Sequence, residues 1–206
     1  LLNNDIFYEF IIAKDFLMGD YERTSLKDVE LNVNYLLIIS TSAGLWAYNI
    51  GDTVKFTAKK PYRIIVTGRI KHFLSAFGEH VISEEVERAM RVATTNHGVT
   101  IREFTVAPNI NPKNGLPHHE WYIEFETIPK DINAFSASLE NEMISQNIYY
   151  KDLTIGNIIQ KLKVISVDKG GFNNYMKSVG RLGGQNKVPR LSNDREIADK
   201  LNNFNS

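Results

Sequence analysis

Gly68-Arg69-Ile70-Lys71-His72-Phe73-Leu74-Ser75-Ala76-Phe77-Gly78-Glu79-His80-Val81-Ile82-Ser83-Glu84-Glu85-Val86-Glu87 is the stretch of this 206-residue chain on which its fold turns. His72 to Ser75 and Val81 to Ile82 are short strand-like runs that flank Gly78. Glycine reaches the positive φ that a tight turn needs, so the pair reads as a hairpin. Ser83 stands where a helix cap is expected, and Glu84 and Glu85 fill a first turn whose dipole favours carboxylates. Val86, Ala89, Met90 and Ala93 then recur on one helical face. A hairpin running straight into an amphipathic helix marks a change in the organisation of the chain.

Upstream of that change the sequence is β-rich. Residues 6–13 and 34–41 carry aromatic and β-branched side chains at strand density. Asn49 to Thr57 and Tyr62 to Thr67 read the same way, separated by a turn around Lys59, Lys60 and Pro61. Downstream, Val99 to Ala107 is strand-like, and a polar Asn/Pro/Gly loop fills 108–118. His119, Trp121, Ile123 and Phe125 then alternate with Glu120, Tyr122, Glu124 and Glu126. Period two of this kind predicts a strand with one face buried and the other solvated. Ile132, Phe135, Leu139 and Met143 predict a second amphipathic helix, and Leu162 to Val167 a further strand. Lys169 to Arg190, rich in Gly, Asn and Lys, reads as a loop, and 191–206 as a polar tail with a short final helix. The expected fold is α+β: a small β-rich subdomain over 1–67, then an α+β domain over 68–206 with a mixed sheet flanked by helices.

Composition removes several functions. With 24 basic and 24 acidic residues the formal charge is zero, so no global footprint for nucleic acid or an anionic membrane exists. The longest apolar run, Tyr35 to Ile39, is strand-sized and far short of the ~20 residues of a membrane span. The absence of cysteine leaves no disulfide, thiolate-bound zinc or thiol nucleophile within this chain, and a cytoplasmic location is expected. No stretch has signal-peptide anatomy. The chain opens on Leu1 and enters a strand at once, which predicts the later part of a longer protein. His118 and His119 are adjacent, so on a strand they point to opposite faces, with no third ligand or carboxylate expected beside them. Trp121, Tyr122 and Phe125 read as core rather than as a stacking platform.

Three stretches resemble the adenylate-forming superfamily, and within it the acyl-acid amido synthetases of the auxin-responsive promoter family. Thr41-Ser42-Ala43-Gly44-Leu45-Trp46-Ala47-Tyr48-Asn49-Ile50-Gly51-Asp52 is similar to that family's T-x-A-G-L-x-x-Y-x-x-G-D segment. The aspartate of the segment binds the ribose of ATP, which implies this role for Asp52. A carboxylate has two acceptor oxygens and can take both vicinal hydroxyls; alone, Gly51-Asp52 would read as a turn. Gly68 to Glu87 is similar to the superfamily pattern G-R-x-[D/K]-x-x-I-K-x-x-G-x-x-I-x-x-x-E-I-E, with Ser75 in place of its lysine. In relatives the arginine contacts the nucleotide, and the residue two beyond it is the hinge of a mobile C-terminal domain. The resemblance therefore implies nucleotide binding by Arg69 and a hinge at Lys71. Glu85 and Glu87 read more simply as a solvated helix start.

Gly183-Gly184-Gln185-Asn186-Lys187-Val188-Pro189-Arg190 resembles the family's Q-x-K-x-P-R. A lysine there reaches the α-phosphate and the acyl carboxylate in relatives, where a point charge steadies the charge that builds up. This implies Lys187 as the catalytic residue, with Lys177 in reserve. The implied activity consumes ATP with Mg2+, a small carboxylic acid and an amine such as an amino acid, in two steps through an acyl-adenylate. The phosphate loop would belong to an N-terminal adenylation domain of the same chain, and residues 1–206 alone are expected to be inactive. An acyl–coenzyme A ligase on the same scaffold and a non-catalytic nucleotide-responsive module are the competing readings.

Overall fold

The computed structural model describes residues 5–70, 73–181, 183 and 186–203. The chain divides into two compact units, Leu1–Lys71 and His72–Ser206.

The first unit comprises β1 (Ile6–Ile12), α1 (Ala13–Met18), β2 (Thr24–Ser25), β3 (Asn34–Thr41), β4 (Tyr48–Lys59) and β5 (Tyr62–Arg69). The strands form one antiparallel sheet in the order β2-β1-β3-β4-β5. Alternation along β3 feeds two cores. Tyr35 and Leu37 join Phe10, Val54 and Phe56 on one side, while Leu36 and Ile38 join Ile11, Ala13 and Ile70 on the other. Rings of Phe10 and Phe56 meet edge-on at 5.0 Å. β5 runs on to Arg69, past the boundary expected after residue 67.

The second unit comprises β6 (Phe73–Leu74), β7 (Val81–Ile82), α2 (Ser83–His97), β8 (Ile101–Asn109), β9 (His118–Phe125), α3 (Ile132–Gln146), α4 (Ile148–Ile155), β10 (Lys163–Ser166), α5 (Gly171–Ser178) and α6 (Glu196–Asn202). β6 and β7 are the expected hairpin, with Gly78 at φ +89 in its turn. β10, β9 and β8 form a mixed sheet. β9 pairs antiparallel with β8 and parallel with β10, and α3 and α4 supply the crossover that a parallel pair requires. One face of the sheet packs against α2 and α3 through Trp121, Ile123, Val86, Met90, Leu139 and Met143. The other carries a second core in which Ala107 and Tyr122 meet Phe172, Tyr175, Ile197 and Leu201 of α5 and α6.

That second helical layer overturns the reading of β9 as half-solvated: all eight of its residues are buried. It also replaces part of the expected loop, since residues 171–178 are helical. Gly171, Asn173 and Asn174 are weak helix formers, and burial of Phe172, Tyr175 and Met176 holds the helix. Glu85 is not solvated either. Its Oε2 accepts from Ile82 N at 3.0 Å and from Asn147 Nδ2 at 3.1 Å, closing the start of α2 against the junction of α3 and α4. Among the described residues, no helix is long and apolar enough to cross a membrane.

Candidate functional site

In the first unit the register of β3 against β4 slips: Leu36 faces Thr53 while Ile38 faces Asn49. Ile50, Gly51 and Asp52 therefore bulge opposite Leu37, leaving the regular ladder. Gly51 makes the bulge possible at φ +82, a region that costs other residues steric strain. Asn49 Oδ1 fixes the turn by accepting from Gly51 N at 2.8 Å, and Gly51 O accepts from Ile70 N at 2.8 Å. The result pairs Asp52 with Arg69 across β4 and β5. Arg69 Nε lies 3.2 Å from Asp52 Oδ1, with the side chains 68% and 35% exposed. Two expected site residues thus meet, and both stay partly exposed to solvent. Lys71, the expected hinge, lies outside the described residues.

Lys187 belongs to the second unit. It is exposed at the rim of a groove of about 420 Å³, shared with Arg181, Glu103, Glu126 and Phe172. The acids there are engaged: Glu103 by Arg190, Glu126 by Arg102 at 3.4 Å, and Glu124 by the amides of Gly170 and Phe172 at 2.9 and 3.4 Å. Among the described residues neither Lys187 nor Arg181 has a carboxylate partner, so the groove presents free cations. Lys177, in the last turn of α5, is exposed and does not line it. Gly184 and Gln185 of the same motif lie outside the described residues.

The profile of the GH3 family C-terminal domain matches residues 84–196, and that of the GH3 family central domain matches residues 1–69. The chain belongs to the GH3 family. Indole-3-acetic acid-amido synthetase GH3.3 of Arabidopsis thaliana is 24% identical over 98% of this chain and 36% of its own length. Indole-3-acetic acid-amido synthetase GH3.8 of Oryza sativa subsp. indica is 25% identical over 98% of the chain and 36% of its length. Among solved structures, the GH3.15 acyl acid amido synthetase superposes with a TM-score of 0.74 at 20% identity, covering 97% of this chain and 36% of that one. The chain thus spans little more than a third of the length of these relatives, and it shares the GH3 fold over nearly all of its own.

This GH3 chain also contains polar groups that the sequence did not reveal as partners. His118 and His119 do point to opposite faces, yet a carboxylate meets each one. Glu79 Oε1 lies 2.8 Å from His119 Nε2, and Glu120 Oε1 lies 3.5 Å from His118 Nε2. Burial opposes ionisation of Glu79, but the hydrogen bond and charge of His119 outweigh it and hold the carboxyl below its ordinary range. Glu120 is likewise held low: bonds from Asn109, Arg195 and Tyr122 overcome its burial. Burial, then the charge of Glu120, pushes the Tyr122 hydroxyl up to about 12. Glu87, expected to be merely solvated, pairs with Arg190 at 3.4 Å. These partners come from distant segments, and no local spacing announces them. Among the described residues, no group of three or more His, Asp or Glu could hold a metal ion.

Proposed function

We propose that the enzyme carrying this chain is an ATP-dependent acyl-acid amido synthetase. It joins a small carboxylic acid to an amine such as an amino acid by way of an acyl-adenylate. The observation that carries the proposal is the bulge that sets Asp52 beside Arg69 within a GH3 central domain. An acceptor pair and a planar donor fork stand side by side, half open, as recognition of a ribose and its neighbouring phosphate requires.

In this reading Asp52 accepts from the ribose hydroxyls, and Arg69 orients the carboxylate and donates towards the nucleotide. Lys187 brings its ammonium to the α-phosphate and acyl carboxylate. There it offsets the charge that accumulates as the acid oxygen attacks phosphorus and pyrophosphate departs. The amine then displaces AMP from the acyl-adenylate to give the amide. Rotation about Lys71 serves the change from one half-reaction to the other. Mg2+ enters as the companion of the ATP phosphates; the described donor set provides no cage for it. The amido synthetase names of the GH3.3 and GH3.8 relatives support the choice of acceptor.

The test is carboxylate-dependent ATP–pyrophosphate exchange by the enzyme in its full natural length, over aryl, indolyl and fatty acids. Exchange with at least one acid is expected. In Asp52→Asn the KM for ATP should rise about 10- to 100-fold, since hydrogen bonds to a charged group are lost. A folded, ATP-binding enzyme that exchanges with no acid would refute the proposal.

A further inference from the structure

Lys187 is exposed, yet the residues just after it are among the most firmly held in the second unit. Val188 is buried in the core beneath α5 and α6, and Leu191 in the core beneath α2 and α3. Thr105 Oγ1 donates to Pro189 O at 2.7 Å, Val106 N donates to Arg190 O at 2.9 Å, and Ser192 N donates to Val106 O at 3.0 Å. Leu191 bridges Val106 in parallel, so this segment extends the sheet beyond β8.

Arg190 locks that extension. Its guanidinium carbon sits 4.5 Å from the centroid of the Phe104 ring. Nη1 pairs with Glu103 and donates to Phe104 O at 3.0 Å, and Nε lies 3.4 Å from Glu87 on α2. One planar fork thus ties the segment to β8 and to a helix at once, which a lysine could not do. Each contact is partly exposed. Such solvent-screened pairs and ring contacts each contribute little to stability, so the cluster specifies a position more than it stabilises the fold.

We infer that Arg190 is a positioning residue for adenylation. Without touching substrate, it holds the strip from which Lys187 extends against β8 and α2. The inference rests on the proposed role of Lys187. A misplacement of about 1 Å can cost on the order of 100-fold in rate, and Arg190 sits three positions from the amine it would place.

The experiment uses the full-length enzyme and separates its half-reactions. Arg190→Gln should slow ATP–pyrophosphate exchange about 10- to 100-fold with little change in KM for ATP or acid. Transfer from supplied acyl-adenylate to the amine should proceed at the wild-type rate, whereas a general loss of structure would slow both. Arg190→Lys should not restore exchange. The double variant Lys187→Ala/Arg190→Gln should be no slower than Lys187→Ala alone, because a device that acts through Lys187 has nothing left to act on. If Lys187→Ala itself leaves exchange unchanged, the role of Lys187 falls and the inference falls with it. If Lys187→Ala slows exchange to a measurable residue while Arg190→Gln does not slow it, or Arg190→Lys restores it, or the double variant falls below Lys187→Ala, the positioning role alone is overturned.

Discussion

The two units handle carboxylates in opposite ways. On β9 and the turn that faces it, Glu79, Glu120 and Glu124 are buried, and every one has a fixed partner: His119, Arg195 with Tyr122, and the amides that open α5. At the β4 bulge, Asp52 is half open and shares a single exposed guanidinium. A carboxylate whose oxygens are spent on its own chain is there for the fold. One displaced from the β3–β4 ladder and left half open stays within reach of solvent and, in the proposed reading, of a ribose. The position of a carboxylate relative to its sheet, more than its presence in a motif, separates the two roles.

Removal of Glu79 should be the largest test of this contrast. Glu79→Ala leaves His119 buried without its partner, and breaking a buried pair in this way costs about 3–5 kcal/mol. Urea unfolding followed by indole fluorescence reads this well. Of the two tryptophans, Trp121 is fully buried in the second unit, while Trp46 is already 82% exposed in the first. A loss under 1 kcal/mol would break the comparison.

The same pair has a pH signature. The Glu79 carboxyl is held below its ordinary value of 4.5, so the stability it contributes is present above that pH and is lost as pH falls through the lower, folded value. The gap between wild type and Glu79→Gln should therefore narrow below about pH 4.5. A gap that stays constant down to pH 3 would deny the ionised pair.

Tyr122→Phe comes next. It removes the hydroxyl that joins Glu120, Asn202 and Arg195 and should cost about 1–3 kcal/mol. Asp52→Asn should be the mildest, changing stability by less than ~1 kcal/mol as an exposed pair does, while ATP binding suffers. Stability loss at Asp52 rivalling that at Glu79 would erase the distinction.

Much of this was legible in the residues. Turn chemistry and periodicity located β1, β3, β4, β5, the hairpin, α2 and α3, and the motif around Gly51 led to Asp52. The face of β9 was not legible. Glutamates at every second position look solvated until Arg195 and the α5 amides, supplied from far along the chain, are brought to them. α5 was hidden because Gly170, Gly171, Asn173 and Asn174 speak for a loop, and only the buried side of Phe172 and Tyr175 overrules them. α4 was hidden because Asn147 serves as the C-cap of α3 and the N-cap of α4, with Oδ1 accepting from Tyr150 N at 2.9 Å. Arg190 was visible as a motif letter, but its partners Glu87 and Glu103 were not visible as partners.

The strip behind Lys187 sets a leash length. Consecutive Cα atoms stand about 3.8 Å apart, so with Val188 embedded the Cα of Lys187 can only swing on a sphere of that radius. Gly180 and Gly183, both at positive φ, lie on the opposite side of Lys187. Travel beyond that sphere and the lysine's own arm would mean stripping the segment from Thr105 and Val106, at about 0.5–1.5 kcal/mol per bond, and pulling Val188 and Leu191 out of their cores. The amine is geared to the body of its unit: large displacements of Lys187 are movements of the whole unit, with the side chain as the pointer at its edge.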